Sequence, residues 1–297
     1  MSASTLSPVR AALLLIALAS IWSSSFSVIK VGVETLPPIT LAALRITLAA
    51  VLLYAYVRWQ GGTIPTSKKF WALAFVVGLF GNGLPFSLIG WGEQTIDSGL
   101  AAILMAVMPL ATLLLAHLFA PGERISGLKL LGIVVGFSGV VVLIGPEALK
   151  GLGGDALRQM AVAGGALCYA IASTTATRMP RLHPAESGAA MMIAAALQMI
   201  PLSLYFDRPW TLQPSTESLM AAVYLGLFPT ALAAIIYFFL IRERGATFIA
   251  LNNYMIPALG VFWGWLFLDE LISAQALLAL AFILTGIAIS NARPMRR

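Results

Sequence analysis

Three amides interrupt long apolar stretches of the chain: Asn82, Asn252 and Asn253. Each carries an acceptor oxygen and two N–H donors into surroundings of Leu, Ile, Phe and Gly, and such a group can hold a small polar solute by hydrogen bonds. Aromatic and hydroxyl residues recur near them at helical spacing. Trp22, Ser25, Phe26 and Ile29 share one helix face, and Asn82, Pro85, Phe86 and Ile89 share another. Tyr169 with Ser173 and Thr177, Thr230 with Tyr237, and Asn252 with Ile256, Gly260 and Trp263 give three more faces. Together they would line an apolar, aromatic cavity with a few hydrogen-bonding groups, the usual make-up of a small-ligand site. The candidate substrate-binding residues are therefore Trp22, Phe26, Asn82, Phe86, Tyr169, Thr230, Tyr237, Asn252 and Asn253. Ser23, Ser24 and Ser25 are first of all packing hydroxyls that bond back to their own helix.

These residues lie on elements that only a membrane can accommodate. With 60% apolar and 10% charged residues in 297 positions, the chain lacks the polar surface of a soluble fold. Ten apolar runs, at 11–32, 38–57, 70–91, 98–120, 127–145, 159–178, 185–206, 216–240, 246–268 and 273–291, follow one another through short loops. Each is long enough to cross roughly 30 Å of hydrocarbon at about 1.5 Å per residue. None alternates as a barrel strand would, so the expected fold is an all-α membrane protein of ten transmembrane helices. The first run is too long for a signal-peptide core and is read as a retained helix. Trp59, Trp91 and Trp210, near helix ends, are expected to anchor at the interface.

Charge sets the expected orientation. With both termini in the cytoplasm, thirteen of the eighteen Lys and Arg residues fall inside, and Lys30, Lys150, Arg158 and Arg208 fall outside. The formal charge of +6 is thus a record of topology, since no basic patch follows a phosphate backbone and no nucleic-acid partner is expected. Arg45, about seven residues into the second run, is the one fixed charge well inside a span, and its stem can snorkel, so structural anchoring is expected of it. All twelve Asp and Glu residues fall in loops or at helix ends, leaving no mid-membrane acid to bind a cation or relay a proton. Paired carboxylates, a His-Cys cluster and a nucleophile motif are absent from the runs, and His117 and His183 are isolated, so neither catalysis, nor a metal, nor a cofactor is expected. The single cysteine, Cys168, permits no intrachain disulfide.

Compared with itself at an offset of 148, the chain aligns Gly78-Leu79-Phe80 with Gly226-Leu227-Phe228 and Pro109 with Pro257. The match continues from Phe119-Ala120-Pro121-Gly122-Glu123 to Phe267-Leu268-Asp269-Glu270, one residue shorter, and on to Gly139 and Gly286. Residues 1–148 and 149–297 are therefore two repeats of five helices, and an odd number places the second upside down. Pro85, Pro109, Pro229 and Pro257 each remove a helical N–H and are candidate hinges.

The Pro, apolar helix, Phe-x-x-(Gly/Asp)-Glu-x-x-Ser pattern, once per half, resembles EamA domains of the drug/metabolite transporter superfamily. Pro37-Pro38 with Ala42-Ala43-Leu44-Arg45, and Trp22-Ser23-Ser24-Ser25-Phe26, are similar to that family's second and first helices. Within the superfamily the chain is similar to YddG-type exporters of aromatic and other neutral amino acids. The resemblance implies ten helices, alternating access through a central cavity and export of amino acids foremost, while the absence of an acid inside the spans points to small neutral or zwitterionic metabolites as cargo and to uniport; a monomer in a bacterial-type inner membrane is expected. A multidrug or other metabolite antiporter of the same superfamily is the alternative, and a non-transporting membrane scaffold a more distant one. Topology is checked directly: a cysteine introduced at Gly61 is expected to react with an impermeant thiol reagent from the cytoplasmic side only, and one at Gly153 from outside only. The reverse pattern would overturn the charge-based orientation.

Overall fold

The computed structural model describes residues 6–119, 127–149, 154–180, 182–249 and 251–291. The loop holding Glu123 and Arg124, together with Lys150, Gly153, Arg181, Arg293, Arg296 and Arg297, lies outside these residues. Among the described residues the chain is all helix, with no strand. In chain order the helices are α1 (Pro8–Gly32), α2 (Pro38–Trp59), α3 (Lys68–Glu93) and α4 (Ser98–Met105, resuming at Met108–Phe119). Then come α5 (Gly127–Leu149), α6 (Gly154–Ala176), α7 (Pro184–Asp207), α8 (Thr216–Arg244), α9 (Asn252–Leu268) and α10 (Ala274–Asn291). Local chemistry sets the starts: Ser7, Ser67 and Ser215 each accept a backbone N–H of the first turn, and Pro8, Pro38 and Pro184 stand where a helix needs no N–H donor.

Seven helical segments of the described residues are long and apolar enough to cross a membrane. Their outward faces are greasy: Leu13 and Val51 are each 61% exposed and Val141 70%. In water such a surface would drive association, and a bilayer is the solvent that removes the penalty.

Helices α5 and α10 approach most closely. A Cβ on Gly132 would stand 2.5 Å from the Gly286 carbonyl, and one on Gly286 2.5 Å from the Gly132 carbonyl, so the two backbones meet only because both residues are glycine. Packed pairs recur when α1–α5 are exchanged for α6–α10. The contacts of α1 with α8 and α9 match those of α6 with α3 and α4, and the α2–α7, α4–α9 and α5–α10 pairs map onto themselves. One departure matters for function: α1 also packs on α3 and α4, whereas no comparable packing joins α6 to α8 and α9.

The end of the bundle where α1 stops and α4 begins is closed by polar contacts. Glu270, in the turn between α9 and α10, accepts the Ser98 N–H at 2.7 Å through Oε1, and the Ser98 hydroxyl at 2.9 Å and Gly99 N–H at 3.0 Å through Oε2. It supplies the cap that Asp97, the residue preceding α4, does not. Burial and the neighbouring Glu270 hold the Asp97 carboxyl above its ordinary range. Lys30 donates to the Ile96 carbonyl at 2.8 Å, and at the same end Asp207 accepts the Thr40 N–H at 2.9 Å and its hydroxyl at 2.7 Å. Glu93, the last residue of α3, is fully enclosed, and neither carboxyl oxygen has a hydrogen-bond partner among the described residues.

Glycine at 264 is what admits Glu270, because a Cβ there would stand 2.2 Å from Glu270 Oε2. Gly264→Ala and Glu270→Ala are each expected to lower the unfolding free energy by about 1.5–3 kcal/mol, the scale of a lost charge-assisted hydrogen bond. Because both break the same contact, Gly264→Ala should cost far less in the Glu270→Ala background. Thermal melts of the four proteins in one detergent measure the cycle, and additive costs would mean that the contact is not what couples the two positions.

Candidate functional site

The packing that α6 lacks with α8 and α9 is replaced by a cavity of about 580 Å³, within the range of small-ligand sites. Its walls come from both halves of the chain. Helix α1 contributes Trp22, Ser25 and Phe26, α3 contributes Asn82 and Phe86, and α6 contributes Tyr169 and Ser173. From α8 come Thr230 and Tyr237, and from α9 Asn252 and Asn253. All nine candidate binding residues therefore stand on one cavity.

Broken helices put the polar groups there. Both α3 and α8 pass through a π turn, Leu79–Gly83 and Gly226–Leu232, at matching places in the repeat. A π turn widens the coil by one residue and pushes side chains off the regular helical faces. Asn82 and Thr230, 148 positions apart, sit in these two turns, and both are buried. Pro229 has no N–H to give the Leu225 carbonyl, the π turn passes that carbonyl to the residue five on, Thr230, and the Thr230 hydroxyl also donates to it at 2.7 Å. The Pro229 carbonyl accepts Trp22 Nε1 at 3.1 Å, and the Trp22 ring lies 5.5 Å from that of Tyr237.

Of the other prolines, Pro85 follows the α3 π turn, is buried and does not line the cavity, while Pro109 and Pro257 do. Pro109 follows the interruption of α4 at Ala106 and Val107, where Ala106 and Val107 bond back by three residues to Ile103 and Leu104. Pro257 lies inside an unbroken α9.

Arg45 departs from expectation. Rather than snorkelling to an interface it is 4% exposed and lines the cavity, its guanidinium carbon 3.7 Å from the centre of the Phe86 ring. Nε and Nη2 donate to Thr230 Oγ1 at 3.3 and 3.1 Å. Sequence carried a signal for this: Ala42, Ile46, Ala49 and Leu53, all buried, share its helix face, whereas Leu44, Val51 and Tyr54 on the other faces are exposed. Two residues grouped with the α9 face lie elsewhere. Gly260 faces Ala102, with a Cβ-to-Cβ distance of 2.4 Å were it alanine, and Trp263 donates to Ser23 Oγ at 3.0 Å. Ser23, Ser24 and Ser25 bond back to the carbonyls three residues earlier. Trp59 and Trp210 are largely exposed, and Trp91 is stacked by Arg158. Methionines at 105, 108, 191 and 192 complete the wall, flexible apolar side chains that adapt to a ligand's shape and that the search for polar groups passed over.

Comparison with known proteins decides the family. The EamA-like transporter family matches this chain twice, over residues 9–145 and 159–292. The chain belongs to that family. A relative in Escherichia coli strain K12, named "Uncharacterized inner membrane transporter YedA", is 29% identical over 281 residues, covering 93% of this chain and 88% of its own. Another, from Streptantibioticus cattleyicolor and named "Probable terminal-alkyne amino-acid exporter", is 25% identical, covering 93% of this chain and 91% of its own. A crystal structure at 21% identity superposes with a TM-score of 0.67, covering 96% of this chain and 97% of that one, and so shares the fold. The protein is thus a multi-pass membrane transporter of the EamA type, and the cavity is where its chemistry is concentrated.

Not every polar group of this EamA cavity is committed to the protein. Asn82 makes no hydrogen bond within the described residues, while the Thr230 hydroxyl makes three. Asn82→Ala is therefore expected to melt within a degree or two of wild type. Thr230→Val, which removes one bond to the Leu225 carbonyl and strands two Arg45 donors, should lose about 1–3 kcal/mol. Equal melting shifts for the two variants would show that Asn82 is structural.

Proposed function

We propose that the protein is a secondary transporter that exports small neutral or zwitterionic metabolites, namely amino acids including aromatic ones. On this reading it works as a uniporter, by alternating access through the central cavity. The carrying observation is the cavity itself: about 580 Å³, walled by Trp22, Phe26, Phe86, Tyr169 and Tyr237, with the amides of Asn82, Asn252 and Asn253 not bonded to protein among the described residues. Aromatic walls hold an apolar side chain, and free amides hold the polar end of the solute. The relative named as an amino-acid exporter supports the same substrate class.

The architecture proposed is ten transmembrane helices in two inverted repeats, with both termini in the cytoplasm of a bacterial-type inner membrane. Support comes from the recurrence of packed pairs between α1–α5 and α6–α10, from the matched π turns, and from the distribution of Lys and Arg. In this orientation the cavity reaches Ala176 and Ile249 near the cytoplasmic ends of α6 and α9, and the Glu270 contacts seal the outer end. Arg45 argues against lipophilic cations as cargo, because a buried guanidinium repels a second positive charge where water is scarce.

Flux of L-phenylalanine in proteoliposomes tests this. At matched internal and external pH, net flux is expected to follow the substrate gradient, and an imposed potential should scarcely alter it, since a zwitterion carries no net charge. Asn82→Ala is expected to reduce that flux at normal expression. Accumulation above equilibrium that appears only under a pH gradient would sink uniport, and Glu93→Gln would then be the first variant to make. Absence of flux for every amino acid tried would remove the substrate class.

A further inference from the structure

Arg45 is a buried cation without an ion-pair partner among the described residues. No carboxylate lies within 4.0 Å of it among the described residues, and its partners are a neutral ring and a neutral hydroxyl. The enclosed Glu93 acts on it only from beyond contact distance, and enclosing a charge with no opposite charge in contact is costly. The guanidinium is also only half used. It has five N–H donors in one plane, and two of them reach Thr230 Oγ1. Stacking on Phe86 covers a face of that plane and leaves the Nη1–Nη2 edge open. Nη1 has no acceptor among the described residues, yet it is not among their sealed, unpartnered polar atoms, so it reaches the cavity that Arg45 lines. That edge is the fork that takes a carboxylate through two parallel hydrogen bonds.

A second group on the same cavity is unpartnered in the complementary sense. Asn252 is sealed within the protein, but its neighbour Asn253 is half-buried on the cavity wall, and its side-chain amide makes no hydrogen bond among the described residues. Near it Pro257 removes the N–H that would serve the Asn253 carbonyl, and across the cavity Pro109 does the same to Met105. These are neutral acceptors suited to an ammonium group.

We propose that Arg45 is the carboxylate site of the transported solute and that the Asn253 amide receives its ammonium group, so that the cavity selects free α-amino acids over their esters, amides and amines. The inference rests on the cavity being the transport site, and it adds the requirement for an anion.

Binding to the purified full-length protein tests it. Tritiated L-phenylalanine is competed with L-phenylalaninamide, phenethylamine and 3-phenylpropionate, alongside melting curves. In wild type, 3-phenylpropionate is expected to compete better than phenethylamine, and the amide to bind about tenfold or more weakly than the acid, the scale of lost charge-assisted hydrogen bonds. Arg45→Gln should bind L-phenylalanine about tenfold or more weakly and no longer distinguish acid from amide. Arg45→Lys keeps the charge and loses the fork, and should fall between them; it also serves if the glutamine variant does not fold. Equal binding of acid and amide by wild type overturns the proposal and leaves amino-acid transport standing. So does discrimination retained in a folded Arg45→Gln protein. If wild type binds none of the four compounds, the amino-acid reading of the cavity falls and this inference falls with it.

Discussion

Pro229 determines how the two halves of the protein meet at the cavity. It has no N–H to give, so the Leu225 carbonyl loses its α-helical partner, and the π turn passes it to Thr230, five residues on. The hydroxyl of Thr230 also donates to it, at 2.7 Å. A hydroxyl has a single proton. Having given it to Leu225, Thr230 can only accept from elsewhere, and what it accepts from is Arg45 on α2. The guanidinium, tethered there, lies flat on Phe86, which α3 carries just beyond its own π turn. One missing backbone donor on α8 thus fixes a cation from α2 against an aromatic ring from α3, and the cavity forms around that junction.

Much of this was legible because polar groups in apolar runs have few places to go. Asn82, Tyr169, Asn252 and Asn253 could be assigned to a common cavity from helical depth and face alone, and they share one. Pro85, Pro109 and Pro229 marked helices that break, since a lost N–H needs a repair that only another protein group or a cavity provides, whereas Pro257 stands in an unbroken α9. The doubled Gly-Leu-Phe likewise announced corresponding places in two halves, and both places turn out to be π turns.

What was not legible depended on which neighbours a face meets along its length. The face drawn from Asn252 through Trp263 belongs to an unbroken helix, yet it kept its first members in the cavity and lost its last to α1 and α4, because those helices pack on α9 beyond the cavity. Arg45 was misdirected for a related reason. A long stem can reach either an interface or the interior, and spacing does not choose between them. Its small, buried neighbours Ala42 and Ala49 do choose, because small residues mark the side where helices touch. Glu270 could be recognised as part of a repeated loop pattern, but that it caps α4, 172 positions earlier than itself, is a fact of tertiary structure alone.

The contacts that hold the bundle are of two kinds, carried by different helices. At the end sealed by Glu270 and Asp207, carboxylates sit on helix N-termini, where charge and the aligned peptide dipoles favour each other. If such a carboxylate withdraws, it exposes backbone donors and a hydroxyl that water can satisfy, so the polar part of the cost of opening is largely offset by the solvent that enters. The seam of Gly132 against Gly286 is different, since it owes its closeness to backbone packing that neither lipid nor water can reproduce. Parting it would leave a gap that nothing fills. Alternating access, as proposed, asks a bundle to open at one end without coming apart, and that needs both kinds of contact. The polar seal on α4 can be exchanged for water while the α5–α10 seam stays shut.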